Sequence, residues 1–244
     1  RKYLADIEAL STEIKSFDSL DVDPLELADL YLRMSLYVVE GKQKTGLTDK
    51  AIEFHEKKFP VTTSKALAFR LAVLQSLEGL PQSDRSYYLY LGEKYRKILE
   101  LIDESPKYEV IRYGVHRGLL RMLVGSLEGL PERAAARVNR RINDNFARLL
   151  TSAGKAFAEV PSKPFEWISR PLKSSPYFLI SFDISEDGRA SNISLDEKQG
   201  LRPNQSKRNL KRQSKLINAQ LKQARFIPGF EEGFPVSEKN AVII

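Results

Sequence analysis

The stretch Tyr177–Asp196, YFLISFDISEDGRASNISLD, decides how this chain is read. Phe178, Ile180, Phe182 and Ile184 alternate with Tyr177, Leu179, Ser181 and Asp183. That period of two puts one fully apolar face on a strand. SEDGR follows, and Asp187-Gly188 is expected to supply the positive backbone torsions of a tight hairpin. A second strand over about 190–196 turns Ile193 and Leu195 inward. The chain before this point is helical in pattern, so the stretch marks a change of structural class.

Downstream, the polar loop EKQGLRPNQ leads to a helix expected over about 206–225, with Leu210, Ile217, Leu221 and Ala224 on its buried side. FIPGFEEGFPV breaks that helix, and NAVII supplies a third strand. The order is strand, strand, helix, strand, and a sheet with one helix across one face suffices for a core of this size.

Upstream, Pro161, Pro164, Pro171 and Pro176 interrupt any helical period, and residues 161–176 read as an extended linker that packs along a surface. Trp167, the chain's one tryptophan, sits there and reads as an anchor onto a neighbouring domain. Before the linker, seven helices are expected. The first covers YLADIEALSTEI; the second opens at Asp23-Pro24, a usual first-turn pair, with Gly41 as its stop. A short one follows over about 48–57, then KALAFRLAVLQSLEGLP behind a Thr62-Thr63-Ser64 cap. RSYYLYLGEKYRKILELI, YEVIRYGVHRGLLRMLVGSLEGLP and ERAAARVNRRINDNFARLLTSAGKAF complete the set. SLEGLP occurs at Ser76–Pro81 and again at Ser126–Pro131, with a weaker third copy ending at Gly41. Helices closed by Glu-Gly and followed by another helix suit stacked helical hairpins, each burying its neighbour's apolar face. The plainer alternative is a bundle with a repeated loop.

Two resemblances follow. YYLYLGEKY places Tyr88, Leu91, Gly92 and Tyr95 at the offsets of the first helix of a tetratricopeptide repeat, although the second-helix signature is poor and the spacings exceed that family's period of about 34 residues. Residues 176–244 resemble the C-terminal domain of TonB, the energy transducer of Gram-negative bacteria, through FDISEDGRASNISLD, LINAQLKQARFIPG, EGFPV and NAVII in that order. The pattern departs from the family at Ala224, where an aromatic is usual, and at Pro176-Tyr177, where the family's Tyr-Pro is reversed. TonB's membrane anchor and proline-rich spacer have no counterpart in the sequence, and a helical array stands in the spacer's place. The expected fold class is therefore α+β. A helical-hairpin, tetratricopeptide-like domain over 1–160 is followed by a linker over 161–176 and a small TonB-like β-β-α-β domain over 177–244.

The resemblance implies a periplasmic protein-binding module. A partner, such as the short segment of an outer-membrane TonB-dependent transporter or another envelope protein, would add as a strand to the sheet edge formed by the last strand. Mapped here, that edge is Asn240, Ala241, Val242, Ile243 and Ile244. The opposing expectation is an ordinary or already covered strand. An inner-membrane anchor or targeting signal would belong to a segment ahead of Arg1. The other functional classes are an envelope scaffold without a transport role and a cytoplasmic, basic nucleic-acid binder.

The chain carries 39 Lys and Arg against 32 Asp and Glu, a balance that permits acidic partners without selecting one. Lys207, Arg208, Lys211, Arg212 and Lys215 form a basic stripe on the last helix, and Arg133, Arg137, Arg140, Arg141 and Arg148 a second. Solvated helix faces explain both most simply, and no interleaved aromatics point to nucleic acid. With no cysteine, disulfides, thiolate metal sites and thiol catalysis are excluded. His55 and His116 lie on different helices without metal-ligand spacing, and His116 reads as a surface or interhelical residue. No phosphate loop, nucleophile elbow or carboxylate–histidine set appears. The expectation is a non-enzymatic protein without cofactor, metal or nucleic-acid partner.

Overall fold

The structure, a computed structural model, describes residues 22–38, 41–78, 85–127, 129–158, 166–167, 178–197 and 207–243. The helix expected at YLADIEALSTEI, most of the linker, and Ile244 lie outside the described residues. The fold is mixed α+β, with seven α-helices and small antiparallel sheets among the described residues. Contacts group the chain into two compact units, Arg1–Leu80 and Pro81–Ile244. The last helices before the linker thus group with the C-terminal sheet, a different partition from one made at the linker.

In the first unit, α1 spans Pro24–Tyr37, α2 Gly41–Lys58 and α3 Ser64–Glu78. Asp23 caps α1, accepting the Leu25 N–H at 3.0 Å ahead of Pro24. The short helix expected over 48–57 in fact begins at Gly41, which starts α2 rather than stopping α1. Thr45 and Gly46 are weak helix formers, but Leu47, Ala51 and Phe54 pack on α1, where Tyr31 stacks on Phe54 at 5.5 Å. Tertiary packing overrides the local propensity. Thr63 caps α3, its Oγ1 accepting the Ala66 N–H at 3.3 Å. His55 of α2 stacks on Phe69 of α3 at 4.1 Å, and Arg70 pairs with Glu56 beside it.

In the second unit, α4 spans Arg85–Leu101, α5 Glu109–Gly125 and α6 Glu132–Ala156. The tyrosines of α4 sit on glycines of the antiparallel α5. A Cβ on Gly118 would lie 2.3 Å from the Tyr95 ring, and one on Gly125 2.6 Å from the Tyr88 ring. Helix axes come this close only where one side lacks a side chain. The repeated SLEGLP has a structural echo: the hydroxyls of Ser76 and Ser126 each bond back to the carbonyl three residues earlier, at 2.7 and 2.8 Å.

The remaining elements are β1 (Glu166–Trp167), β2 (Phe178–Ile184), β3 (Ala190–Glu197), α7 (Lys207–Gln223), β4 (Phe226–Ile227), β5 (Gly229–Glu231), β6 (Phe234–Val236) and β7 (Glu238–Ile243). The main sheet has the order β3-β2-β7, all antiparallel. Ile180, Phe182, Ile184 and Ala241 of the sheet bury one core with Ile217, Leu221 and Ala224 at the helix. The hairpin turn differs from the expected pair of positive torsions: only Gly188 has one, at φ +70°. The loop is Glu186-Asp187-Gly188. Gly188 N–H donates to Ser185 O at 2.8 Å and Ser185 N–H to Arg189 O at 3.0 Å, a type I turn closed by a left-handed glycine.

FIPGFEEGFPV does more than end α7. Glu232 and Gly233, at φ +49° and +81°, form a two-residue turn between β5 and β6. β4 pairs with β1 in the linker, Trp167 opposite Phe226. Ile227 and Phe230 then leave the sheet core and join Tyr113, Phe146, Leu149 and Ala153 of α5 and α6. β1 is held from the helices as well, because Glu166 accepts from Arg117 and Arg121 of α5, each at 2.6 Å.

Candidate functional site

β2 is the central strand, so β3 and β7 form the two borders of the sheet. β3 carries α7 beside it and is bent by a bulge at Asn192, φ +50°, whose amide donates to Asp183 at 2.7 Å. Bulges and flanking charge are the usual protection of a border strand. β7 pairs with β2 through Ile180↔Ile243, Ser181↔Val242 and Phe182↔Ala241, slips by one residue, and resumes at Ile184↔Glu238. Among the described residues no strand lies on its other side.

The regular run open to further pairing is therefore Ala241–Ile243. Ala241 is buried against the core. Asn240, Val242 and Ile243 are placed by their backbone in β7, and Ile244 lies outside the described residues. Every described member of the expected edge is thus in one border strand.

Of the expected basic stripe, Lys211, Arg212 and Lys215 are exposed on α7 beside Leu216, and Lys207 and Arg208 are placed by backbone in its first turn. Arg133, Arg137, Arg140, Arg141 and Arg148 are all exposed on α6. The two sets are on separate elements. At the hairpin end, a hydrogen bond from the Ser185 hydroxyl, with Arg189 2.8 Å away, holds the Asp187 carboxyl below the usual range. Burial, with Arg189 nearby, lowers Arg225 at the end of α7.

Comparison with protein-family models, curated proteins and solved structures found no match.

Of the two positions its sequence suggested, surface or interhelical, His116 occupies the interhelical one and is buried. Asn145 Nδ2 donates to the His116 carbonyl at 2.8 Å, so Asn145 Oδ1 is the atom facing the ring and accepts from His116 Nδ1–H at 2.8 Å. Burial is the main cause that keeps the imidazole below its ordinary pKa, reinforced by Arg148 and Arg112 against the pull of Glu109 and the Asn145 hydrogen bond. Asn145 was not singled out from sequence, although it falls within the apolar stripe Ile142, Phe146 and Leu149. His55, stacked on Phe69, is also lowered by burial. Among the described residues no three His, Asp or Glu are grouped to hold a metal ion, and no helix is long and apolar enough to cross a membrane.

Proposed function

We propose that the chain is a periplasmic, TonB-like adaptor that acts by binding rather than by catalysis. In this reading an extended segment of an outer-membrane transporter, or of another envelope protein, adds to β7 as a fourth strand and so supports energy-dependent transport. The tetratricopeptide-like helical hairpins, with Tyr88 and Tyr95 seated on glycines, would present a separate surface to a second protein. The supporting observation is the position of β7: a border strand with a regular run at Ala241–Ile243 and backbone pairing on one side only among the described residues. Unpaired N–H and C=O groups on such a border bind an extended peptide through its backbone.

Successive residues of a border strand point their N–H groups alternately inward and outward. Of Val242→Pro and Ile243→Pro, one therefore removes a donor from the sheet and the other only from its border. Melting curves tell the two apart. The variant that melts like the parent should lose binding of transporter-derived extended peptides in fluorescence polarisation. Unchanged affinity in that variant, or no peptide binding by the parent, refutes the proposal.

A further inference from the structure

The second unit holds a cleft of about 230 Å³ between α4, α5 and α6. Arg96 of α4 and Arg141 and Arg148 of α6 line it, with Asp144 as the one acid. Arg141 and Arg148 pair with no acid among the described residues, while Arg96 shares an exposed contact with Glu93 at 2.5 Å. The buried polar part of the lining is the His116–Asn145 pair, and Leu99, Leu119 and Leu123 supply apolar wall.

Three guanidiniums from two helices around one small volume call for an oxyanion, since each offers a planar fork of donors. The ring of His116 narrows the choice. Its Nδ1–H is committed to Asn145, which leaves Nε2 with a lone pair in the neutral ring and no described group bonded to it. A carboxylate or sulfate at neutral pH has no proton to donate there. A phosphate monoester, with a second pKa of about 6, still carries one in about a tenth of its molecules at pH 7, and an acceptor at Nε2 selects that form. Tetrahedral oxygens also meet forks arriving from several directions, which a planar carboxylate does less well.

We propose that this cleft binds a small phosphate monoester, its oxygens held by Arg96, Arg141 and Arg148 and its proton shared with Nε2 of His116. The apolar wall takes the organic part. The cleft is separate from β7, and the proposal does not rest on the strand-addition reading.

The test is calorimetric titration of the whole chain with glycerol 3-phosphate, inorganic phosphate, sulfate and acetate at pH 7. The ring nitrogens of the two histidines are followed by ¹⁵N NMR. Saturable binding of the two phosphates is expected, with sulfate and acetate weaker by about tenfold or more. Arg148→Gln and Arg141→Gln, both at exposed positions, should each weaken phosphate by about tenfold without changing the melt. The His116 Nε2 resonance should move and that of His55 should not.

Sedimentation with phosphatidate vesicles separates the two sources of the group. Capture lost in Arg148→Gln assigns it to a lipid head; glycerol phosphate binding without capture assigns a free ester. Either result supports the phosphate-monoester chemistry. Sulfate binding as tightly as phosphate, absence of phosphate binding, or arginine variants that bind like the parent would overturn the proposal.

Discussion

Gly188→Ala tests whether the hairpin turn is wedged between strand and helix as the structure has it. Gly188 has φ +70°, and a Cβ there would lie 2.1 Å from the Phe226 carbonyl oxygen and 2.6 Å from Cζ of Phe146. Two costs add. Holding a non-glycine residue in the left-handed region costs about 1–2 kcal/mol. The clash is with backbone on one side and a buried ring on the other, so the turn must withdraw from β4. That breaks the Phe226 N–H to Gly188 O bond, which measures 2.9 Å, at about 1 kcal/mol. It also loosens Phe226 and Phe146 from their packing. The total is about 3 kcal/mol or more, in the range reserved for damage to core and backbone together. Urea unfolding monitored by far-ultraviolet circular dichroism measures it, with Asn as a second substitution that tolerates the torsion but not the contact. If Gly188→Ala costs under about 1 kcal/mol, the wedge is wrong. If Gly188→Asn matches the parent, the strain lies in the torsion alone and the close approach is refuted.

Gly118→Ala should destabilise by about 1–2 kcal/mol, because overpacking against the fully buried Tyr95 exceeds the helix-propensity gain of about 1 kcal/mol. Gly92→Ala, whose Cβ would meet Met122 at an ordinary 3.8 Å, should be neutral or stabilising in the same urea assay. For pH, the folded state holds His116 neutral and below its ordinary pKa, so the unfolded chain binds more protons in that window. Stability is fully present above about pH 6.5 and falls as pH drops towards the lowered folded value. Guanidinium unfolding from pH 7.5 to 5 should show this slope, reduced in His116→Gln; an identical slope in the variant would count against it.

The hairpin and α7 were readable because each carries its own period: two in Phe178–Ile184, and a helical stripe in Ile217, Leu221 and Ala224. The turn class was not, since Asp-Gly serves both two- and three-residue loops, and the choice depends on Gly188 meeting Phe226 and Phe146. The β5–β6 hairpin escaped because its strands are three residues long and Gly233 reads locally as a helix breaker. The early start of α2 was hidden by Thr45 and Gly46, which only packing on α1 makes helical. Of the border strand, its existence was legible in NAVII; its antiparallel direction, its slip by one residue and its place beside β2 come from pairing across more than fifty residues. Asn145 and His116 are each unremarkable alone, and only the α5–α6 crossing makes them partners. Gly118 and Gly125 likewise acquire meaning from tyrosines some twenty to forty residues away.

Phe230 and Ile227 lie in the apolar core of α5 and α6, while Phe226, next to Ile227, closes the core beneath the main sheet. A load drawn along β7 therefore has a stiff route into α6: through β2 to the Phe182–Phe226 ring contact at 4.9 Å, then one residue along the chain. The small sheet and the helices beside it should yield together, as one mechanical element, and a force-extension trace should record a single rupture for both.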